Sequence, residues 1–146
     1  MTRRARKYMA IAAIRHLAVG VLCIALPGTF QSGSYAGIVG FLRPLTYANA
    51  LPWWGWLFIL VCFGCALPIV TARPSHARLG LVASSIVTWA WVGGFLAAIP
   101  LGAPGGYTGI IAWSALAAKD LVLLEDPLRS PFEWIPSRGA TDSARR

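Results

Sequence analysis

Three short constellations in this sequence carry residue types able to do chemistry. Arg15-His16 and Lys119-Asp120 put ionisable side chains inside otherwise apolar runs, and Cys62-Phe63-Gly64-Cys65 has the spacing of a C-x-x-C thiol pair. An arginine and an aspartate held in apolar surroundings are usually paired with each other or functional. Two thiols at that spacing could cycle between dithiol and disulfide.

Depth is the test for the ionic groups. Counted from Met9 at ~1.5 Å per residue, Arg15 sits about 9 Å from one end of its run, and Asp120 lies about 6 to 9 Å from the matching end of the last run. The depths agree, and Asp120 is the only acid at that level. One expectation is therefore an Arg15–Asp120 ion pair, with His16 and Lys119 as nearby polar groups. The other is that Arg15 and Lys119 extend their charged tips to the nearer headgroups while Asp120 marks a frayed helix end.

The thiol pair has less behind it. Four-helix membrane thiol oxidoreductases of the vitamin K epoxide reductase kind combine such a pair with shuttle cysteines in a loop. Here the third cysteine, Cys23, lies in an apolar run like the other two. No nearby cation or helix start favours the thiolate at Cys62 or Cys65. These residues are expected to be small, polarizable packing groups, and thiol chemistry is the last of the functional alternatives.

The elements that must hold these residues follow from composition. Of 146 residues, 57% are hydrophobic and 12% are charged, and the mean hydropathy is +0.63. An average soluble domain is roughly 25% charged. A chain of this kind cannot cover itself with polar surface, so its expected partner is the lipid bilayer. The formal net charge is +8, yet residues 1–118 contain no Asp or Glu; all five acids (Asp120, Glu125, Asp126, Glu133, Asp142) follow. The basic residues flank apolar runs instead of forming a patch, which argues against a nucleic-acid partner. The only histidines are His16 and His76, and neither has metal-ligand spacing. No nucleophile-elbow or phosphate-loop motif is present. No catalytic residue, cofactor or metal is expected, and the protein is expected not to be an enzyme.

Runs of about 20 apolar residues cross a bilayer. Four are expected: residues 9–26, 51–72, 79–99 and 107–124. Between them lie a basic tail (1–8), a loop (27–50), a turn (73–78), a second turn (100–106) and a carboxy-terminal tail (125–146). Threaded four times, the chain puts ten basic residues on the side of the tails and the 73–78 turn, and only Arg43 on the other. Positive charge marks the cytoplasmic side. The fold class is thus expected to be all-α, a four-transmembrane-helix bundle with both termini cytoplasmic. Leu17–Leu26 could serve as the apolar core of a signal peptide, but no small-x-small cleavage site follows, so the first run is expected to stay as a span.

Smaller signals refine this frame. Gly80 and Ser84, and Ala90, Gly94 and Ala98, recur every four residues, as close-packing helix faces do in lipid. Packing within one bundle is expected before a seam between copies, although a homo-oligomer through these faces stays open. Gly64 and Pro68 are expected to bend the second span. Trp53, Trp54 and Trp56 are expected to anchor the outer end of that span at headgroup depth, with Tyr107 and Trp113 doing so for the fourth. The apolar stretch 35–42 is expected to lie at the outer interface or dip into the bundle. Phe132, Trp134 and Ile135 are expected on the inner leaflet.

At Arg15-His16-Leu17-Ala18-Val19-Gly20, Ser34-Tyr35-Ala36-Gly37-Ile38 and Pro52-Trp53-Trp54-Gly55-Trp56-Leu57-Phe58, the chain resembles small four-span membrane proteins encoded by phages of actinobacteria. The resemblance covers the first half of the chain and implies no catalytic residues. It implies the host inner membrane as the site of residence. The functional expectation is a non-enzymatic, phage-type protein, holin-like or a membrane-perturbing lysis accessory, whose basic tail can sit on anionic lipid. The alternatives are an assembly module that engages another envelope or phage protein, and a small-solute channel or transporter.

Overall fold

The computed structural model describes residues 3–30, 33–40, 50–102 and 106–125. Among these the ordered elements are helical. Helix α1 spans Arg3–Ala25, α3 Ala50–Thr71, α4 Pro74–Ala98 and α5 Gly106–Glu125. A short helix, α2, covers residues 36–40, and single 3-10 turns occupy Pro27–Phe30, Gly33–Tyr35 and Ile99–Leu101. The four long helices each have the length and apolar composition to cross a membrane. The protein is an all-α, membrane-embedded bundle.

Helix boundaries differ from the sequence reading where charge was taken for a break. α1 begins at Arg3, not Met9, because Arg, Ala and Lys are good helix formers and nothing in Arg3–Tyr8 interrupts them. The basic residues are thus the first turns of the helix and not a separate tail. The 73–78 turn shrinks in the same way. Pro74 opens α4 at a position that suits its fixed φ and missing N–H, so residues 74–78 are helical. Only Ala72 and Arg73 remain as connector, with Ala72 in the left-handed region at φ 53°. Gly102, at φ 78°, ends the turn that follows α4. Pro68 lies inside α3 and is buried.

Contacts between helices fix an up-and-down order. Gly20 meets Gly55 and His16 stacks on Phe58, so α1 runs antiparallel to α3. Gly80 meets Gly64 while Trp91 meets Trp54, so α4 runs antiparallel to α3. Phe95 lies on Gly109 while Ser84 bonds Asp120, so α5 runs antiparallel to α4. The start of α1, the α3–α4 connector and the end of α5 therefore share one end, called here the basic end for Arg3, Arg4, Arg6, Lys7, Arg73 and Arg78.

The interior has two apolar clusters. Near the basic end, Met9, Ala12, Ala13, Val61, Cys65 and Leu81 pack together. At the far end, Phe30, Trp54, Phe58, Trp91 and Phe95 form an aromatic core with Cys23 and Ile38. Trp91 is its hub, edge-on to Phe58 at 5.0 Å and Trp54 at 5.1 Å between ring centroids. The perimeter is apolar too: Leu60, Phe63, Val70, Ile111 and Val122 all point outward, Val70 with 86% of its surface free. A continuous exposed apolar surface of this kind belongs in hydrocarbon.

The described stretch 33–40 does not float at an interface. It folds back into the bundle, where Ile38 is fully buried and its carbonyl accepts the Trp54 indole N–H at 3.0 Å. A Cβ at Gly37 would lie 2.0 Å from the Gly94 carbonyl oxygen, so the backbone of α2 touches that of α4.

Candidate functional site: a polar belt between two apolar clusters

Between the two apolar clusters lies a belt of five polar side chains: Tyr8, Arg15 and His16 from α1, Ser84 from α4 and Asp120 from α5. His16, Ser84 and Asp120 are fully buried, and the Arg15 side chain retains 17% of its surface. Each is on the inward stripe of its helix. Ser84 is one turn from both Gly80 and Thr88, and Thr88 Oγ1 donates to the Ser84 carbonyl at 2.7 Å, which secures that turn.

Arg15 Nη2 lies 3.2 Å from Asp120 Oδ2, 3.0 Å from Ser84 Oγ and 3.1 Å from His16 Nε2. Ser84 Oγ in turn donates to Asp120 Oδ2 at 2.5 Å and lies 2.7 Å from His16 Nε2. The Tyr8 hydroxyl donates to the other oxygen, Asp120 Oδ1. Asp120 thus receives three donors from two other helices, which is how a carboxylate is tolerated in an apolar interior. Lys119, its neighbour, turns outward, with Nζ 4.9 Å from the centroid of the Tyr8 ring. A cation over an aromatic face contributes about 0.5–1 kcal/mol at exposed sites.

The belt has donors to spare. Arg15 Nε and His16 Nδ1 are buried without a partner, as is Trp91 Nε1 in the aromatic core. His16 is held by stacking on Phe58, with centroids 5.5 Å apart. Nη2 carries two hydrogens and faces three neighbours, and the single Ser84 proton lies between two acceptors. The belt therefore admits more than one arrangement of its protons without moving a heavy atom.

The remaining sequence candidates divide between core and perimeter. Gly80 backs onto the Gly64 carbonyl, and Gly94 and Ala98 receive Gly37 and Ile38, so these small residues are occupied within the chain. Ala90 packs beside the aromatic core. Trp53 and Trp56 are exposed, at 58% and 60%, but Trp54 is a correction: it is 1% exposed and belongs to the core, not to an interface anchor. Its neighbours one and two residues away point elsewhere because a helix turns about 100° per residue. Trp113 is also inward, 5.9 Å from Trp91, while Tyr107 is exposed. Tyr35 packs on Phe30 and Phe95 instead of facing outward. Cys62 and Cys65 are free thiols; Cys65 is buried with Sγ 3.6 Å from the Gly80 carbonyl, and Cys62 is half-buried. Arg43, Tyr47, Phe132, Trp134 and Ile135 lie outside the described residues.

Sequence reasoning missed Tyr8, which reads as part of the basic tail, and took Ser84 for a packing residue. A signal existed for both: Tyr8 is about two turns before Arg15, and Ser84 is the first polar residue after Arg78 on α4. The Gly20–Gly55 crossing also went unseen; a Cβ on either would lie 2.8 Å from the other's carbonyl oxygen.

Among known proteins, no family model, no curated protein and no solved structure matches the chain.

Proposed function

We propose that this is a non-enzymatic, multi-pass protein of a bacterial inner membrane that handles a small ion or solute at its polar belt, a channel- or carrier-type role. The observation that supports the reading is the belt itself. Ionisable groups in a membrane interior are costly, about 2.5–3.5 kcal/mol each on insertion scales, and characteristically mark ion pathways and proton relays. Arg15 and His16 on α1 meet Ser84 on α4 and Asp120 on α5, with Arg15 Nε and His16 Nδ1 unpartnered.

The ten-to-one split of basic residues supports a cytoplasmic basic end. The phage-type origin rests on the sequence resemblance. The lysis-accessory reading retains the apolar perimeter and basic end as support. It loses the free small-residue seam, since Gly80, Gly94 and Ala98 are engaged inside the chain. No comparable observation favours the assembly module.

Reconstitution in proteoliposomes tests the proposal. Flux of protons or of a common inorganic ion is expected, and it should fall at least tenfold in Asp120→Asn. Flat traces for protons, sodium, potassium and chloride overturn the reading. Induced expression that depolarises or lyses a host cell without such flux favours the lysis accessory.

A further inference from the structure

We propose that His16, Ser84 and Asp120 form a single proton-binding unit, in which one proton is shared between imidazole and carboxylate through the serine hydroxyl and exchanges with water only at the basic end. It deepens the ion-handling reading above and rests on it for its physiological purpose, but not for its chemistry.

The transfer needs no added reactant. With His16 as imidazolium and Asp120 as carboxylate, the Nε2–H bond breaks as an Oγ–H bond forms, while the original Oγ–H bond breaks as an Oδ2–H bond forms. His16 and Asp120 become neutral, and Ser84 ends with one hydrogen as it began. The separations of 2.7 and 2.5 Å along this path are both within hydrogen-bond reach. Arg15 Nη2 touches all three groups, and its fixed positive charge opposes a proton on His16 and on Asp120 alike: it repels an imidazolium and stabilises the carboxylate.

Sidedness follows from what lies on either side of the belt. Toward the basic end, Tyr8 is half-buried, donates to Asp120 Oδ1 and has Lys119 over its ring. Toward the far end, His16 Nδ1 has no partner and its ring lies against Phe58, beyond which come Trp54, Trp91 and Phe95. Along α4 in this direction, the Thr88 hydroxyl donates back to the Ser84 carbonyl, and Trp91 Nε1 is without a partner. No described hydrogen bond leads outward from the imidazole, so a proton has a route in one direction. The titratable and charged groups facing the unit are Tyr8 and Arg15 on α1 and Cys65 on α3; Lys119 on α5 is exposed and adjoins the unit only through the Tyr8 ring, and α4 contributes the neutral Ser84 and Thr88.

Full-length protein in lipid nanodiscs, with imidazole nitrogen NMR for His16 and infrared carboxyl absorption for Asp120, provides the test. In the wild type the two signals should change together over one pH range, as coupled groups do. Ser84→Ala should separate them, Ser84→Thr should restore the coupling, and Asp120→Asn should move the His16 midpoint by about one pH unit or more. In oriented proteoliposomes the carboxyl signal should follow a pH jump only on the side of Arg3. A His16 titration untouched by both Ser84→Ala and Asp120→Asn overturns the shared proton, and a response to jumps on either side overturns the one-way route. Ion flux with uncoupled titrations would sink this unit while leaving the transport reading intact; coupled titrations without flux would do the reverse.

Discussion

Arg15 and Asp120, 105 positions apart in sequence, meet at 3.2 Å and tie the first long helix to the last. The tie matters because the backbones of α1 and α5 approach each other little; α1 packs chiefly along α3, and α5 along α4. Long polar side chains bridge what helix packing leaves apart. Hydrogen bonds between helices in lipid contribute about 0.6 kcal/mol on average and up to about 1.7. Arg15→Gln and Asp120→Asn should each lower thermal stability in detergent, and the double variant should lose less than the sum by about 1–2 kcal/mol. Additive losses would show that the two side chains act independently.

A second expectation concerns Gly37. Its added Cβ would lie 2.0 Å from the Gly94 carbonyl oxygen and 2.6 Å from the Ala98 backbone nitrogen, neither of which can yield like a flexible side chain. Gly37→Ala should push α2 off α4 and break the Trp54–Ile38 hydrogen bond, destabilising by about 1–3 kcal/mol as overpacked cores do. Gly93→Ala, with nothing within 4 Å of its Cβ, is the control. Equal melting temperatures for the two variants would sink the close contact.

Tryptophan quenching separates perimeter from core. Trp53 and Trp56 are exposed and Trp54 is not. Brominated lipids should quench the wild type strongly, and Trp53→Phe with Trp56→Phe should remove most of the quenchable signal from this stretch. Trp54→Phe should leave quenching nearly unchanged but reduce stability, because it deletes both a hydrogen bond and a contact of the aromatic core.

Ala72 offers a gain instead of a loss. It closes α3 with φ 53°, and its N–H bonds the Pro68 carbonyl at 3.0 Å. A side chain in the left-handed region costs roughly 1–2 kcal/mol, a penalty that glycine escapes. Ala72→Gly should raise the melting temperature by an amount equivalent to about 1 kcal/mol. Unchanged or lower stability would mean that the connector adopts another conformation.

Threading is open to direct measurement. Reporter fusions after residues 45 and 104 should be active outside the cytoplasm, and one after residue 76 inside it, given the charge distribution. Reversal of the pattern would invert the assignment of the basic end without altering the bundle.

Much of this protein could be read from residue order alone. Apolar runs between Pro, Gly and charged breaks gave four helices in the right places, because crossing hydrocarbon demands about 20 apolar residues and leaves little choice of backbone. Asp120 stood out too, as the one acid set in such a run with Arg15 at equal depth, but residue order left open whether the two pair or Arg15 reaches to the headgroups. Helix ends were less legible. Arg3–Tyr8 looked like a tail since charge signals the edge of the lipid, but charge does not stop a helix.

What tertiary structure alone decided is which face of each helix turns inward. In a chain apolar on every side, the contrast that marks a buried stripe in a soluble helix is missing, so Trp54 and Trp53 look alike in sequence. Depth along the membrane normal is encoded residue by residue; rotation about the helix axis depends on how four surfaces fit together. That fit placed Tyr8 and Ser84 on Asp120, set Gly20 on Gly55, and drew Gly37 against Gly94.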